Sequence, residues 1–345
     1  MKIEKEINPN QNSQDPAAGR LVDRENRHLN YLRISITDRC NLRCLYCVPE
    51  GRIPKLDHND ILSFEEILRL VHVGIRLGIR KVRVTGGEPL VRKGAIELLS
   101  RLAAIPELQD VSLTTNGVLL AANAQRIYDA GIRRINVSLD SLDRQKFAQI
   151  TGYDRFDQVW AGIQLASELG FSPIKINVVA MRGINDDEIV DFGRLSLERP
   201  FHVRFIEYMP IGNSRTRCKD QMLTPQIQER IATIGRLIPV DNSRHDGPAR
   251  RYRIAGAQGE IGFISALSHH FCGRCNRLRL TADGKLRACL LSDRHESLKE
   301  VLRNGGSDDQ LADIFRNAVR EKAARHQLGL NGVNRVKGLM QDIGG

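Results

Sequence analysis

The sequence predicts an α/β protein built on parallel strands, and three observations carry that prediction. Six strand patterns, with helix patterns between them, follow one another between residues 31 and 207. Glycine-rich or polar residues close almost every strand at its C-terminal end. The rhythm then breaks near residues 210–250, where a smaller region begins. Repeated β-then-α units imply parallel strands joined by right-handed crossovers. Two architectures satisfy the pattern, an open doubly wound sheet and a barrel. A barrel keeps its chemistry on the C-terminal rim of the strands. An open sheet keeps it in the crevice at a switch point. Periodicity does not separate the two.

Residues 1–20 are polar and read as a mobile tail. The first strand, 31–37, alternates apolar and polar residues and runs straight into a cysteine loop. Ser63-x-x-Glu66 forms a capping box, and Ile67, Leu70, Val71, Gly74 and Leu77 follow at helical spacing. Residues 81–85 read as a strand closed by the turn Gly86-Gly87-Glu88-Pro89. Helix 95–104, strand 111–115, helix 120–130 and strand 134–139 come next. Helical patterns run through Phe147 and over 159–169, ahead of strand 174–180. A helix over 186–197 starts behind Asn185 as N-cap, and 203–207 is the sixth strand. Short strands over 251–254 and 262–265 and a helix over 311–326 belong to the smaller region. The chain divides into a tail (1–20), a main unit (21–215), a C-terminal region (216–335) and a terminal tail (336–345).

The 345 residues carry a net charge of +11, which points to an anionic partner. Aromatic residues make up only 5%, which weighs against a stacking platform for single-stranded nucleic acid. No stretch approaches the roughly 20 apolar residues of a membrane span. The seven cysteines, at 40, 44, 47, 218, 272, 275 and 289, are clustered and odd in number. That pattern argues against a secreted disulfide framework and for a cytoplasmic protein with reduced thiols.

Cys40, Cys44 and Cys47 stand as C-x3-C-x2-C on one loop. Structural zinc sites take paired ligands and need four. Three thiolates instead hold three corners of an iron–sulfur cube and leave the fourth iron open to a small molecule. Cys272, Cys275 and Cys289 form a second triplet, C-x2-C-x13-C. Zinc is a live alternative there, with His269 or His270 as a fourth ligand. Between these cysteines, Arg277 and Arg279 share one face of an extended segment, an arrangement suited to a polyphosphate. Arg33 and Arg83 occupy alternate positions of apolar strands, and Lys175 and Asn177 share a face of the fifth strand. Each is either outward-facing or aimed at a buried partner. Gly86-Gly87 permits close approach of a ligand backbone, and Cys218 reads as a bystander thiol.

The C-x3-C-x2-C loop, with Tyr46 before its third cysteine, resembles the signature of the radical S-adenosylmethionine (SAM) enzymes. Gly86-Gly87-Glu88-Pro89 resembles that superfamily's second motif. More closely, the chain is similar to the molybdenum cofactor biosynthesis protein A family, the GTP 3',8-cyclases. The stretches that carry this likeness are 31–40, 84–89, 114–117, 136–140, 204–210, 272–279 and the terminal Gly344-Gly345. Val48 stands where the family often has Met.

The resemblance implies an incomplete (β/α)6 TIM-like barrel, with a smaller C-terminal α+β region closing the open side. It implies two 4Fe–4S clusters, one on Cys40, Cys44 and Cys47 with SAM, the other on Cys272, Cys275 and Cys289 with substrate. SAM contacts carry over to Tyr46, Gly87, Ser138 and Met209. GTP contacts carry over to Arg33, Arg83, Thr114, Lys175, Arg277 and Arg279. The implied reaction takes the ribose C3' hydrogen of GTP with a 5'-deoxyadenosyl radical and closes a bond to guanine C8. The implied product is (8S)-3',8-cyclo-7,8-dihydroguanosine 5'-triphosphate. The implied partners are a reductant such as flavodoxin or ferredoxin and the next pathway enzyme, cyclic pyranopterin monophosphate synthase. Nucleic acid and membrane are not among them, and a homodimer is compatible. Two other classes stay open: a radical SAM peptide-modifying enzyme with an auxiliary cluster, and a basic zinc-binding nucleic-acid protein.

Overall fold

The computed structural model describes residues 19–48, 55–212, 221–241, 247–328 and 336–344. Most of the N-terminal tail, the loop residues 242–246, Cys218 and Gly345 lie outside the described residues. The main unit runs β1 (Tyr31–Ser35), α1 (Phe64–Arg76), β2 (Lys81–Thr85), α2 (Ala95–Ala103), β3 (Asp110–Thr115) and α3 (Leu120–Asp129). It continues through β4 (Ile135–Ser138), α4 (Arg144–Thr151), α5 (Phe156–Glu168), β5 (Ile174–Ala180), α6 (Ile189–Glu198) and β6 (Phe201–Glu207). The C-terminal region adds α7 (Thr224–Ala232), β7 (Leu237–Val240), β8 (Arg250–Ile254), β9 (Glu260–Ile264), β10 (Arg277–Leu280) and β11 (Lys285–Arg287). It ends in β12 (Glu296–Ser297), α8 (Lys299–Arg303), α9 (Asp308–Arg320) and α10 (Met340–Ile343).

The six strands foreseen in the main unit form, each within about two residues of its expected bounds. They lie side by side in chain order and pair in parallel. The order never reverses, so these strands lack the switch point that defines a doubly wound sheet. The C-terminal region joins the same sheet at both flanks. β10 pairs in parallel with β1 and is extended by antiparallel β11 and β12. β9 pairs in parallel with β6 and is extended by antiparallel β8 and β7.

Alternation along each strand separates two faces. On β1 and β2 the apolar set Leu32, Ile34, Val82 and Val84 is fully buried in one core with Ile67, Leu70 and Val71 of α1. The opposite face carries Tyr31, Arg33, Ser35, Lys81, Arg83 and Thr85. The capping box that starts α1 is present: Ser63 Oγ accepts from Glu66 N at 3.1 Å, and the Glu66 carboxylate accepts from Ser63 N at 2.7 Å. The expected cap at Asn185 is not. Its side chain is drawn inward, where it donates to the Asp140 and Val179 carbonyls and accepts from Met181 N. It clips the ends of β4 and β5 together instead. Among the described residues no helix is long and apolar enough to cross a membrane.

One charged pair fixes the strands at the end opposite the cysteine loop. Lys81 and Asp110 face each other in register across β2 and β3, with Nζ to Oδ2 at 2.7 Å, and Arg134 approaches the same oxygen at 3.2 Å. Burial alone would raise the Asp110 carboxyl, but the charge and hydrogen bond of Lys81 hold it below its ordinary value. A group with a depressed folded pKa adds stability above its unfolded pKa and loses it as pH falls. Asp110→Asn removes the carboxylate that Lys81 and Arg134 share and should cost about 3–5 kcal/mol at pH 7. Denaturant titrations of both proteins should show that gap narrowing toward pH 3, and a pH-independent gap would contradict the ion-pair account.

Candidate active site

The first cysteine loop leaves the C-terminal end of β1 and is laced to the turn that follows β2. Gly87 N donates to the Thr37 carbonyl at 2.6 Å, and Glu88 N donates to the Arg39 carbonyl at 2.8 Å. A Cβ on Gly87 would stand 2.8 Å from the Asp38 carbonyl oxygen and closer still to that of Arg39. The close approach that Gly86-Gly87 permits is therefore first of all by the chain's own loop. Leu42 N donates to Cys40 Sγ at 3.4 Å, and Asn116 Nδ2 reaches that sulfur at 3.7 Å. Asn116 also donates to Asn41 Oδ1 at 2.7 Å.

Cys40, Cys44 and Cys47 are free thiols that border a cavity of about 120 Å³, together with Gly87, Thr114 and Ser138. Burial, helped by the Asp140 carboxylate and the neighbouring thiols, pushes the Cys44 thiol well above its usual range. Burial likewise pushes Cys47 up to about 12. Burial thus favours the neutral thiols, and a cationic centre among them would be needed to hold them as thiolates. Tyr46 is anchored from its far end: its Oη donates to Asp140 Oδ2 at 2.6 Å, and Val179 N donates to Asp140 Oδ1 at 2.8 Å.

The second triplet lies at the other end of the strands. β10 runs parallel to β1 with Tyr31 opposite Arg277, so Cys272 and Cys275 precede the N-terminal end of that row. The β10–β11 hairpin pairs Arg279 with Arg287. Cys289 follows β11 by two residues and lines the same cavities as Cys272 and Cys275, so the hairpin accounts for the long spacing in C-x2-C-x13-C. Four residue steps along β1 separate the two ends, roughly 13 Å at ~3.3 Å per residue.

The electrostatics of this end are reversed. Burial would raise the Cys275 thiol, but the Arg277 guanidinium and then the Lys322 ammonium outweigh it and hold it at about 6. Lys322 Nζ donates to the carbonyls of Arg277 and Ala288 on either side of the hairpin. Neither His269 nor His270 borders the cavities that the three cysteines line. His270 packs on His326 at 4.6 Å between ring centroids, and it is His326 that borders both cavities.

A cavity of about 210 Å³ joins the two ends. It is lined by Tyr46, Ser138 and Met209 toward the first triplet and by all three cysteines of the second. Between them stand Arg33, Arg83, Thr114, Arg277 and Arg279. Arg83, Arg33 and Arg279 are direct neighbours across β2, β1 and β10. Guanidiniums one strand apart, roughly 5–7 Å, repel by on the order of 2–3 kcal/mol per pair at an effective dielectric of about 20. Burial and the charges of Arg83 and Arg277 bring Arg33 down to about 10. Burial and the charges of Arg33 and Arg277 put Arg279 well below its ordinary value. The two carboxylates bordering the cavity are already committed, Asp140 to Tyr46 and Glu207 to Thr224 N, Leu267 N and Ser268. The arrangement concentrates buried positive charge in the manner of an anion site.

Lys175 is set apart from the group. It borders a small neighbouring pocket with His202, Arg251 and Glu260. Arg204 joins the cavity instead, its guanidinium held by the amide oxygens of Asn177 and Asn136. Its alternate position on β6, like those of Arg33 and Arg83 on theirs, was the available signal. Tyr31, also missed, shares the inward face of β1 with Arg33. The C-terminal tail reaches the same place: Arg279 Nη1 donates to the Gly344 carbonyl at 2.6 Å. Gly344 sits in the left-handed region (φ 73°), where a Cβ would meet Ser35 at 3.0 Å and Thr85 at 3.1 Å.

Comparison with known proteins agrees with this geometry. Residues 34–195 match the Radical SAM superfamily, and residues 201–328 match Molybdenum Cofactor Synthesis C. The chain is 49% identical over 327 residues to the GTP 3',8-cyclase of Heliobacterium modesticaldum, covering 94% of this chain and 100% of that one. It is 50% identical over 304 residues to the GTP 3',8-cyclase of Thermodesulfovibrio yellowstonii, covering 88% and 94%. Among solved structures, Streptococcus suis SuiB bound to S-adenosylmethionine is similar in fold, with TM-score 0.59 at 16% identity over 85% of this chain and 69% of that one.

The opposed electrostatics of the two triplets can be read directly. In metal-free protein, iodoacetamide labelling of Cys275 should rise through about pH 6, while Cys47 stays unlabelled until about pH 12. Mass-spectrometric labelling profiles check this, and equal profiles at both ends would contradict it.

Proposed function

The chain belongs to the GTP 3',8-cyclase family of radical SAM enzymes, which serve molybdenum cofactor biosynthesis, and from that premise we propose how its own residues divide the work. The sheet is an incomplete (β/α)6 barrel over residues 21–215, with residues 216–335 closing its open side. Two observations support that reading: the strand order without reversal, and side chains of β1 through β6 converging on one cavity.

Cys40, Cys44 and Cys47 would hold a 4Fe–4S cluster, which would supply the electron that SAM needs for radical formation. The free thiols around one cavity, each pushed up by burial, fit a centre that supplies positive charge. Tyr46, Gly87, Ser138 and Met209 hold SAM beside it. When bound there and reduced by one electron, SAM supplies a 5'-deoxyadenosyl radical able to take the ribose C3' hydrogen of GTP. Cys272, Cys275 and Cys289 hold the second 4Fe–4S cluster, and the Arg277 charge that favours the Cys275 thiolate suits that role. GTP spans the cavity, its guanine toward the second cluster and its phosphates on Arg33, Arg83, Arg277 and Arg279, with Thr114 beside them. Lys175 adds long-range positive charge from the neighbouring pocket. The Gly344 backbone narrows the space between the ends of β1 and β2 and braces Arg279. Delivery to cyclic pyranopterin monophosphate synthase, reduction by a flavodoxin or ferredoxin, and a cytoplasmic setting complete the reading.

The single observation that carries this assignment is the register-aligned guanidinium row between two cysteine triplets. A peptide substrate has no use for such a row, and the likeness to SuiB speaks for fold alone. Anaerobic protein should hold about eight irons, four per cube. Given reductant and SAM, it should release 5'-deoxyadenosine in a GTP-dependent manner. Arg277→Ala should lower that turnover by at least tenfold with the iron content unchanged. Release stimulated by a peptide and indifferent to GTP would reject the reading.

A further inference from the structure

Tyr31 is the residue of the inward face that nothing above uses. It opens β1, is 3% exposed, and borders the cavity between the two triplets. Its hydroxyl is buried and has no hydrogen-bond partner among the described residues. A buried hydroxyl left unpaired is a net cost to folding, so folding alone favours Phe at this position. Phe would keep the ring's packing, including the Lys81 ammonium 5.1 Å and the Arg83 guanidinium 5.6 Å from its centroid. The hydroxyl is therefore an expense without a structural return.

What surrounds it says which ligand would satisfy it. In register, Tyr31 stands between Arg277 on β10 and Lys81 on β2, and Arg33 is its neighbour on the same face. Lys81 is held by Asp110 at 2.7 Å. Burial would raise the phenol, yet the charges of Arg83, Arg33, Lys81 and Arg277 bring it below its ordinary value. A hydroxyl set among cations finds its best acceptor in an anionic oxygen that those cations have already drawn in, and charge-assisted bonds of that kind are about twice as strong as neutral ones.

We propose that Tyr31 is a substrate-binding residue whose hydroxyl donates a hydrogen bond to a phosphate oxygen of the nucleotide held by the arginine row. The inference rests on the reading of this cavity as the GTP site. Arginines attract any polyanion, whereas a neutral donor at a fixed place on β1 adds position. It would help fix which phosphate oxygens lie at the deep end of the cavity.

The test is Tyr31→Phe in full-length, iron-loaded protein. Equilibrium affinities are measured anaerobically for GTP, inorganic tripolyphosphate and guanosine, beside thermal unfolding without ligand. The variant should bind GTP and tripolyphosphate about 5–30-fold more weakly, as expected for about 1–2 kcal/mol of a charge-assisted bond. Guanosine affinity should be unchanged, and the ligand-free variant should be as thermostable as the parent or more so. A structural role cannot move stability and phosphate affinity in opposite directions. Unchanged GTP affinity in a variant whose parent binds GTP would overturn the proposal and leave the GTP site standing. So would equal weakening toward GTP and guanosine, or a variant that is destabilised or fails to fold, since the hydroxyl would then serve something other than phosphate. Parent protein that binds neither GTP nor tripolyphosphate would instead remove the reading beneath it.

Discussion

The structure turns on positive charge held where water would ordinarily be required. Arg83, Arg33 and Arg279 stand in one cross-strand row, with Arg277 a step away on the same face. Like charges directly opposite on neighbouring strands repel, and burial strengthens the repulsion. Among the described residues, the two carboxylates that border the cavity, Asp140 and Glu207, are both bound elsewhere. The fold tolerates the row because the opposite face of the same strands is wholly apolar and packed under helices. Alternation along β1 and β2 thus does two jobs at once: one face supplies the core, the other gathers positive charge, an electrostatic demand that an anion would meet.

The parallel pairing of β10 with β1 gives that demand a direction. Because the two strands run the same way, a loop leaving the end of one and a loop entering the start of the other lie at opposite ends of the row. The cysteines of the two triplets are thereby kept apart, with the arginines between. The hairpin that follows β10 returns Cys289 to the same end as Cys275. The environments then differ in the way their positions require. The thiols at the C-terminal rim are pushed up by burial and by one another, while Cys275 is drawn down by Arg277 and Lys322. The tail closes the arrangement from the rim side, its Gly344 carbonyl taken by the same Arg279 that faces the cavity.

Much of this was legible in the chain. Period-two alternation gave the strands of the main unit, Ser63 and Glu66 marked the start of α1, and two cysteine spacings located both ends of the site. What could not be read was pairing. Nothing local in β10 says that it joins β1, so the alignment of Arg279 with Arg33, which makes the row a row, was invisible. The same limit hid Tyr31 and Arg204, whose alternate positions marked a face but not what the face looks onto. Asn185 shows the converse. Its place before a helix suggested a cap, and only the neighbouring ends of β4 and β5 reveal that it holds two strands instead. Lys175 followed the family pattern, yet its position on β5 borders the adjoining pocket.

As proposed, two iron–sulfur centres would stand at opposite ends of one arginine row, with the nucleotide's phosphates between them. The most direct measurement is diffraction from anaerobic crystals of the iron-loaded protein with GTP, recorded at the iron absorption edge. Two separate iron centres are expected, one against Cys40, Cys44 and Cys47 and one against Cys272, Cys275 and Cys289. They should lie more than roughly 13 Å apart, the length of the strand row, with phosphate density on Arg33, Arg83, Arg277 and Arg279. Iron at one end only, a single zinc at the second triplet, or GTP bound away from the row would contradict it.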